Sequence, residues 1–259
     1  MVNDNYITAM PKLKTAIISL TCCEGCQFAI LDLGEKLLKI TEFLDLDNFR
    51  LGSSHKSKGP YDVIFMEGTP ITDENITTLI KARQQTKILI ALGTCADLGG
   101  VAEIKNYSKI GRKEMMDYVY KNVEGINNPK IKPISAYVKV DGKIPGCPID
   151  KDEFVRFTEE LIAGKIYKIP DVPVCYECQL RENKCLLQKG QPCFGPVTLG
   201  GCGAICPSNN FICEACRGPI RDRNLASLKK ILGDRISAKE LMKISEIYGA
   251  KDDLEKRSE

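Results

Sequence analysis

Short apolar runs alternate with stretches whose apolar positions recur every three or four residues over roughly the first 165 positions. Lys14-Thr-Ala-Ile-Ile-Ser-Leu20 is apolar and partly β-branched, which suits a buried parallel strand. Gln27 to Ile40 follows, with Phe28, Ile30, Leu31, Leu37 and Leu38 mostly at helical spacing, and predicts one helix. Tyr61-Asp-Val-Ile-Phe-Met66 predicts a second strand. Thr72 is placed to cap a helix running to about Arg83, and Lys87 to Leu92 predicts a third strand. Lys132 to Val140 predicts a further strand, before a helix near Lys151 to Ala163. Strands alternating with helices in this way point to a doubly wound α/β sheet.

From Pro170 to Pro219 neither period persists, and proline, glycine and cysteine dominate. Such a segment buries little apolar side chain for its length, so it is expected to need metal to stay folded. The chain then becomes charged and helical: Ser237-Ala-Lys-Glu240 is a capping box, and Gly249 is placed to close the helix it opens. The expected division is a sheet domain over 12–166, a cysteine-rich domain over 167–219 and a charged helical tail over 220–259. No internal sequence repeat is visible.

Composition narrows the function classes. Apolar residues at 43% and charged residues at 27% are ordinary for a globular chain. The net charge of +3 comes from Lys and Arg interspersed with Asp and Glu, so no basic stripe points to nucleic acid. Met1 to Pro11 lacks the basic start and apolar core of an export signal and has no twin arginine. The longest apolar runs, such as Lys87 to Gly93, are too short to span a bilayer. The expected location is therefore the cytoplasm, with no transmembrane segment. In a reducing compartment dense cysteine signals metal or redox chemistry rather than disulfide staples.

The chain has thirteen cysteines in two groups. Cys22, Cys23, Cys26, Cys95 and Cys147 are spread out, the first three directly after the first predicted strand and Cys95 after the third. Ligands of an open parallel sheet lie beyond the carboxyl ends of its strands, so these distant segments should converge on one edge. Cys26 has x-x spacing only with Cys23, which makes Cys22 the odd thiol and leaves Cys23, Cys26, Cys95 and Cys147 for one cubane site. A Cys-x-x-Cys pair also serves zinc or thioredoxin-like exchange, and a lone Cys95 could be a small core residue. The loop Gly93 to Gly100 lacks the lysine and Ser/Thr of a phosphate-binding loop.

The remaining eight cysteines read C-x2-C-x6-C-x7-C, then C-x3-C-x6-C-x2-C. Cys175, Cys178, Cys185 and Cys193 form one half, and Cys202, Cys206, Cys213 and Cys216 the other. Two zinc ribbons could use similar pairs. Prolines beside Cys193 and Cys206, glycines around Cys202 and the separate upstream set favour iron–sulfur clusters.

Cys23-Glu-Gly-Cys26, Gly93-Thr-Cys95, Pro145-Gly-Cys-Pro148 and Cys193-Phe-Gly-Pro196 resemble motifs of the small subunit of [NiFe] hydrogenases. The likeness is greatest to the cytoplasmic multimeric branch, the sulfhydrogenase delta and methyl-viologen-reducing types, and it runs from about Lys14 to Pro219. It implies a flavodoxin-like domain followed by a small irregular cluster domain and a helical tail. It also implies three [4Fe–4S] clusters that relay electrons in reversible H2 oxidation, with the bimetallic site on a separate large subunit. By the same resemblance Cys23, Cys26, Cys95 and Cys147 would hold a proximal cluster. Cys202, Cys206, Cys213 and Cys216 would hold a medial one, and Cys175, Cys178, Cys185 and Cys193 a distal one. A downstream flavin/NAD(P), deazaflavin or heterodisulfide reductase subunit is the implied electron partner.

The periplasmic branch has a histidine where this chain has Cys175, and often a glutamate where it has Cys22. All-cysteine ligation is expected to keep the potentials low. The single histidine, His55, falls in the charged loop Ser53 to Lys58 and is expected to be solvated. Glu67, at the end of a strand, reads as an exposed or capping carboxylate ahead of a place beside a cluster or on a proton path. Two alternatives stand. A cluster subunit of respiratory complex I would use both adjacent cysteines, but leaves the other eight unexplained. A zinc-stabilised interaction module would have no redox role.

Overall fold

The computed structural model describes residues 11–108 and 130–255, together with Glu114 and Tyr118. The expectations for residues 1–10 and for the last four residues of the tail lie outside these. Five strands, β1 (Leu13–Ser19), β2 (Leu44–Asp47), β3 (Tyr61–Glu67), β4 (Thr86–Leu92) and β5 (Gly142–Ile144), form a sheet in the order β2-β1-β3-β4-β5. All pairings are parallel. This is the flavodoxin-like order, with its switch point between β1 and β3.

Among the described residues five helices cover the sheet: α1 (Gly25–Leu31), α2 (Glu35–Ile40), α3 (Asp73–Gln84), α4 (Gly93–Leu98) and α5 (Lys151–Ile162). Side chains of a strand alternate between faces. Ile17, Val63, Phe65, Ile90 and Leu92 pack on one face against Ile30 of α1, Ile40 of α2, and Phe154, Phe157 and Leu161 of α5. Ala16, Ile64, Met66, Leu89 and Ala91 pack on the other against Leu79 and Ala82 of α3 and Ala96 of α4. Burial on both faces is why the central strands read as unbroken apolar runs.

The Thr72 cap forms as expected, with its hydroxyl accepting the Asn75 N–H at 3.2 Å to start α3. Four local readings need correction. The single helix expected over Gln27 to Ile40 is two, because Gly34 at φ +55°, ψ −121° adopts a backbone that only glycine takes readily. β2 was not anticipated; its Leu-Asp-Leu-Asp sequence is short and half acidic, and it pairs only with β1 at the sheet edge. Lys132 to Val140 is not a strand. It holds a single 3-10 turn, Ile134–Ala136, and Ile134 covers the α3/α4 face. Pairing with β4 starts only at Asp141, whose N–H donates to Leu89 O while its carboxylate accepts the Leu89 N–H, both at 2.9 Å. Finally, the expected loop from Gly93 is the short helix α4.

Beyond the sheet lie α6 (Val174–Leu180), a 3-10 turn at Gly195–Val197 and α7 (Ile205–Ser208), tied by isolated bridges between Pro173 and Leu199 and between Thr198 and Pro219. The tail forms α8 (Leu225–Leu232), α9 (Ala238–Glu246) and α10 (Lys251–Glu255). The Ser237–Glu240 capping box is present, and Gly249 has φ +75°. Far from being only a charged cap, the tail completes an apolar cluster. Leu228 and Leu232, Leu241 and Leu254 pack with Val174, Leu186, Phe194, Val197 and Leu98. Among the described residues no helix is long and apolar enough to cross a membrane.

Candidate functional site

The sheet delivers the first cysteine group to its carboxyl edge. Cys22, Cys23 and Cys26 follow β1, Cys95 lies in α4 directly after β4, and Cys147 follows β5. The loops after β1 and β3 are stitched together by Thr21 and Thr69, whose N–H groups donate to each other's carbonyls at 3.3 and 2.9 Å. Thr69 Oγ1 then donates to Cys95 O at 2.7 Å, and Thr94 N–H donates to Gly146 O at 2.9 Å. Burial pushes the Cys95 thiol up to about 12, and Cys147, Cys23 and Cys22 lie near enough to raise it further. The Cys22 Sγ itself turns toward Leu20 O, 3.9 Å away.

Glu67 ends β3 and is buried rather than exposed. Its Oε1 accepts the Cys26 N–H at 3.1 Å and its Oε2 accepts from Gln27 Nε2 at 3.0 Å, so it caps the first turn of α1 from across the switch point. Burial pushes its carboxyl above the usual range, and Gln27 and the Cys26 N–H hold it down in part. His55 is solvated as expected, with Nδ1 3.2 Å from Asp47 Oδ1.

The second and third groups occupy the segment after Pro170. Burial lifts the Cys175 thiol to about 12, with Cys193, Cys178 and Cys185 adding to the rise. Cys216 is likewise pushed up to about 12 by burial, and Cys202, Cys206 and Cys147 stand close enough to raise it. Cys213, buried like Cys26 and Cys193, is raised by burial, then by Cys193 and Cys216. The groups touch in sequence: Cys147 meets Cys216, and Cys213 N–H donates to Cys193 Sγ at 3.3 Å.

All thirteen thiols are free. Among the described residues no three His, Cys, Asp or Glu side chains gather as closely as a single metal ion requires. A four-iron cube is wider than one ion, so its ligands stand farther apart. Three features fit such a group. The donors are thiols alone, the right chemistry for iron–sulfur ligation. Backbone N–H groups favour the ionised sulfurs against the penalty of burial: Ile149 at Cys26, Gly195 and Cys213 at Cys193, Ala204 and Ile205 at Cys202, Ala215 at Cys213. Small residues also let the backbone approach, since a Cβ on Gly100 would fall 2.7 Å from Cys95 Sγ and one on Gly195 would fall 3.2 Å from Cys175 Sγ.

The left-handed backbone needed for those N–H groups is supplied partly by residues other than glycine. Glu24, Ala204 and Ala215 have φ of 62°, 52° and 63°, each lying between two cysteines of one set. Gly93, at φ +79°, supports a direct test. A Cβ there would clash with Cys26 Sγ and sit 3.4 Å from Gly146 O. Gly93→Ala is expected to leave the chain folded but to remove about four irons, read by iron analysis beside circular dichroism. Gly164→Ala shares the strained φ of +75° but meets nothing within 4 Å, and should keep full iron.

Several site residues carried no sequence signal. Glu177, between Cys175 and Cys178, accepts N–H groups of Gly201 (2.8 Å) and Ala204 (3.3 Å) beside Cys202. Asn183 Nδ2 donates to Cys178 Sγ (3.5 Å) and to Ser208 Oγ (2.9 Å). Thr94 Oγ1 donates to Cys216 O at 2.5 Å, tying α4 to the cysteine-rich segment after Pro170. Tyr248 of the tail is pushed up to about 12 by burial, then by Cys147, Glu214, Cys216 and Cys206.

A flavodoxin-like sheet that leads from one thiol group at its switch edge into two more defines a cysteine-rich redox subunit. Residues 23–161 match the family described as NADH ubiquinone oxidoreductase, 20 Kd subunit. Over 239 residues the chain is 40% identical to sulfhydrogenase 2 subunit delta of Pyrococcus furiosus, spanning 88% of this chain and 98% of that one. It is 31% identical to the NAD-reducing hydrogenase HoxS subunit delta of Cupriavidus necator, over 61% of this chain and 83% of that one. Among solved structures, the NAD+-reducing [NiFe]-hydrogenase in the H2-reduced state matches with a TM-score of 0.55 at 26% identity. That match covers 62% of this chain and 96% of the other. The chain belongs to this oxidoreductase family, and within it to the small subunits of [NiFe] hydrogenases.

Proposed function

We propose that this chain is the electron-transferring small subunit of a cytoplasmic [NiFe] hydrogenase, relaying electrons between the bimetallic site of a large subunit and a redox partner through three [4Fe–4S] clusters. The observation that carries the reading is the continuity of the thiol sets, Cys147 meeting Cys216 and Cys213 meeting Cys193. Cys23, Cys26, Cys95 and Cys147 would hold the proximal cluster. Cys202, Cys206, Cys213 and Cys216 would hold the medial one, and Cys175, Cys178, Cys185 and Cys193 the distal one. Bound clusters of this kind supply one-electron carriers.

The chain's own residues bind them, exclude water and set their surroundings. Cys26, Cys193 and Cys213 are buried, while Cys23 and Cys147 remain exposed at the sheet edge. That exposed edge suits a large subunit covering the proximal set. The far set, on α6, then lies toward a downstream acceptor of flavin/NAD(P), deazaflavin or heterodisulfide reductase type. Anaerobic purification from the native host, with iron, sulfide and nickel analysis, tests the reading. About twelve irons per chain and a co-purifying nickel-bearing large subunit are expected. A zinc-loaded chain without iron, or a redox-active chain isolated with no nickel partner, would refute it.

A further inference from the structure

Arg217 heads the fully buried side chains by volume, at 1% exposure among the described residues. Its partners are well defined. Nη1 and Nη2 donate to the two carboxylate oxygens of Glu153 on α5, each at 2.8 Å, in a bidentate pair whose members are both 1% exposed. Nη1 also donates to Pro145 O at 2.7 Å, and Nε donates to Gly200 O at 2.8 Å. One guanidinium thus joins three places. Pro145 lies two residues before Cys147, Gly200 two before Cys202, and Arg217 itself follows Cys216. A Cβ on Gly201 would be 2.7 Å from Glu153 Oε1 and would collide with Arg217, so glycine there makes room for the pair.

Stability alone explains such a pair poorly. Desolvating two charges costs about as much as their attraction returns, and apolar replacements are often as stable. What an ion pair supplies that an apolar contact does not is direction and field. The cation lies close to Cys202 and Cys216, whose ionised forms interact favourably with it. Glu153 approaches from α5 and offsets part of that field.

We infer that Arg217, clamped by Glu153, is a positioning residue that fixes the Cys147 loop against the Cys202/Cys216 loops and raises the reduction potential of the cluster held there. The inference rests on the ligand sets proposed above. Reduction adds negative charge to a cluster, so a neighbouring cation favours the reduced form and a neighbouring carboxylate disfavours it. Arg217→Gln should therefore lower one potential, and Glu153→Gln should raise the same one. Arg217→Lys keeps the charge, though not the fork, and should stay near the parent value.

The test is a redox titration of the complete hydrogenase complex, followed by low-temperature electron paramagnetic resonance. Arg217→Gln is expected to shift the equilibrium constant for reduction about tenfold toward the oxidised form, about 59 mV for one electron. The shift should fall on the signal that Cys213→Ser removes. Glu153→Gln should move that signal the opposite way. Where Arg217→Gln assembles poorly, selective loss of about four irons, with Arg217→Lys fully loaded, supports the clamp. Unchanged potentials at full iron content would overturn it, as would equal shifts of all three signals, or loss of all iron in both Arg217→Lys and Glu153→Gln. If Cys213→Ser leaves every signal at full intensity, the ligand sets fail, whatever Arg217 does.

Discussion

Cys26→Ser is expected to remove about four of about twelve irons and to abolish hydrogen-dependent reduction of any acceptor, while Cys22→Ser leaves both unchanged. The two thiols are near neighbours, so the contrast depends on placement. Cys26 is buried in the first turn of α1 and its N–H is held by Glu67. Its sulfur lies against Gly93 and receives the Ile149 N–H. Serine there has a shorter, less polarisable donor and cannot reach the same point without moving the helix. Cys22 instead precedes the left-handed turn at Glu24, with its sulfur directed to Leu20 O. Iron analysis and low-temperature electron paramagnetic resonance of the two variants decide the matter. Loss of the proximal signal in Cys22→Ser, with Cys23→Ser and Cys26→Ser intact, would overturn this ligand assignment, whereas loss in both Cys22→Ser and Cys23→Ser would support the complex I-like use of adjacent cysteines.

Leu228→Asp is expected to destabilise the chain by about 4 kcal/mol or more and to strip iron from the segment after Pro170 while the sheet stays folded. Leu228 is 1% exposed and packs in the cluster that holds Phe194 and Val197, next to Cys193 and Cys213. That cluster is the main apolar support of a segment otherwise made of turns and short helices. A carboxylate there would have no partner and would open the core. Lys230→Glu, on the exposed side of the same helix, should change stability by less than about 0.5 kcal/mol. Denaturant unfolding followed by circular dichroism, with iron counted per chain, separates the outcomes. Equal behaviour of the two variants would mean that the tail does not support the thiol-bearing segment.

The strands were readable where burial on both faces forces a continuous apolar run, as in Tyr61 to Met66 and Lys87 to Leu92. They were not readable at the edges, where β2 carries two aspartates and β5 is three residues long. The expected strand from Lys132 to Val140 failed for a related reason. Its apolar residues serve to cover a face of the sheet rather than to pair with a strand. The cysteine motifs were legible because cysteine is rare, and their division into ligand sets is what the resemblance implies. Glu67 was read as exposed or capping. It does cap, but from a buried position at the junction of β1 and β3, which no local pattern encodes.

By itself the sequence determined the class of fold and the family, since periodicity, caps and Cys-x-x-Cys spacing are written over a few adjacent residues. Only the tertiary structure decided what surrounds those thiols. Glu153 meets Arg217 across 64 positions, Thr94 meets Cys216 across 122, and the tail's leucines close over Phe194. Such contacts depend on where whole elements dock. A buried arginine and a solvated one look alike in a sequence, because burial belongs to the packed chain and not to the residue.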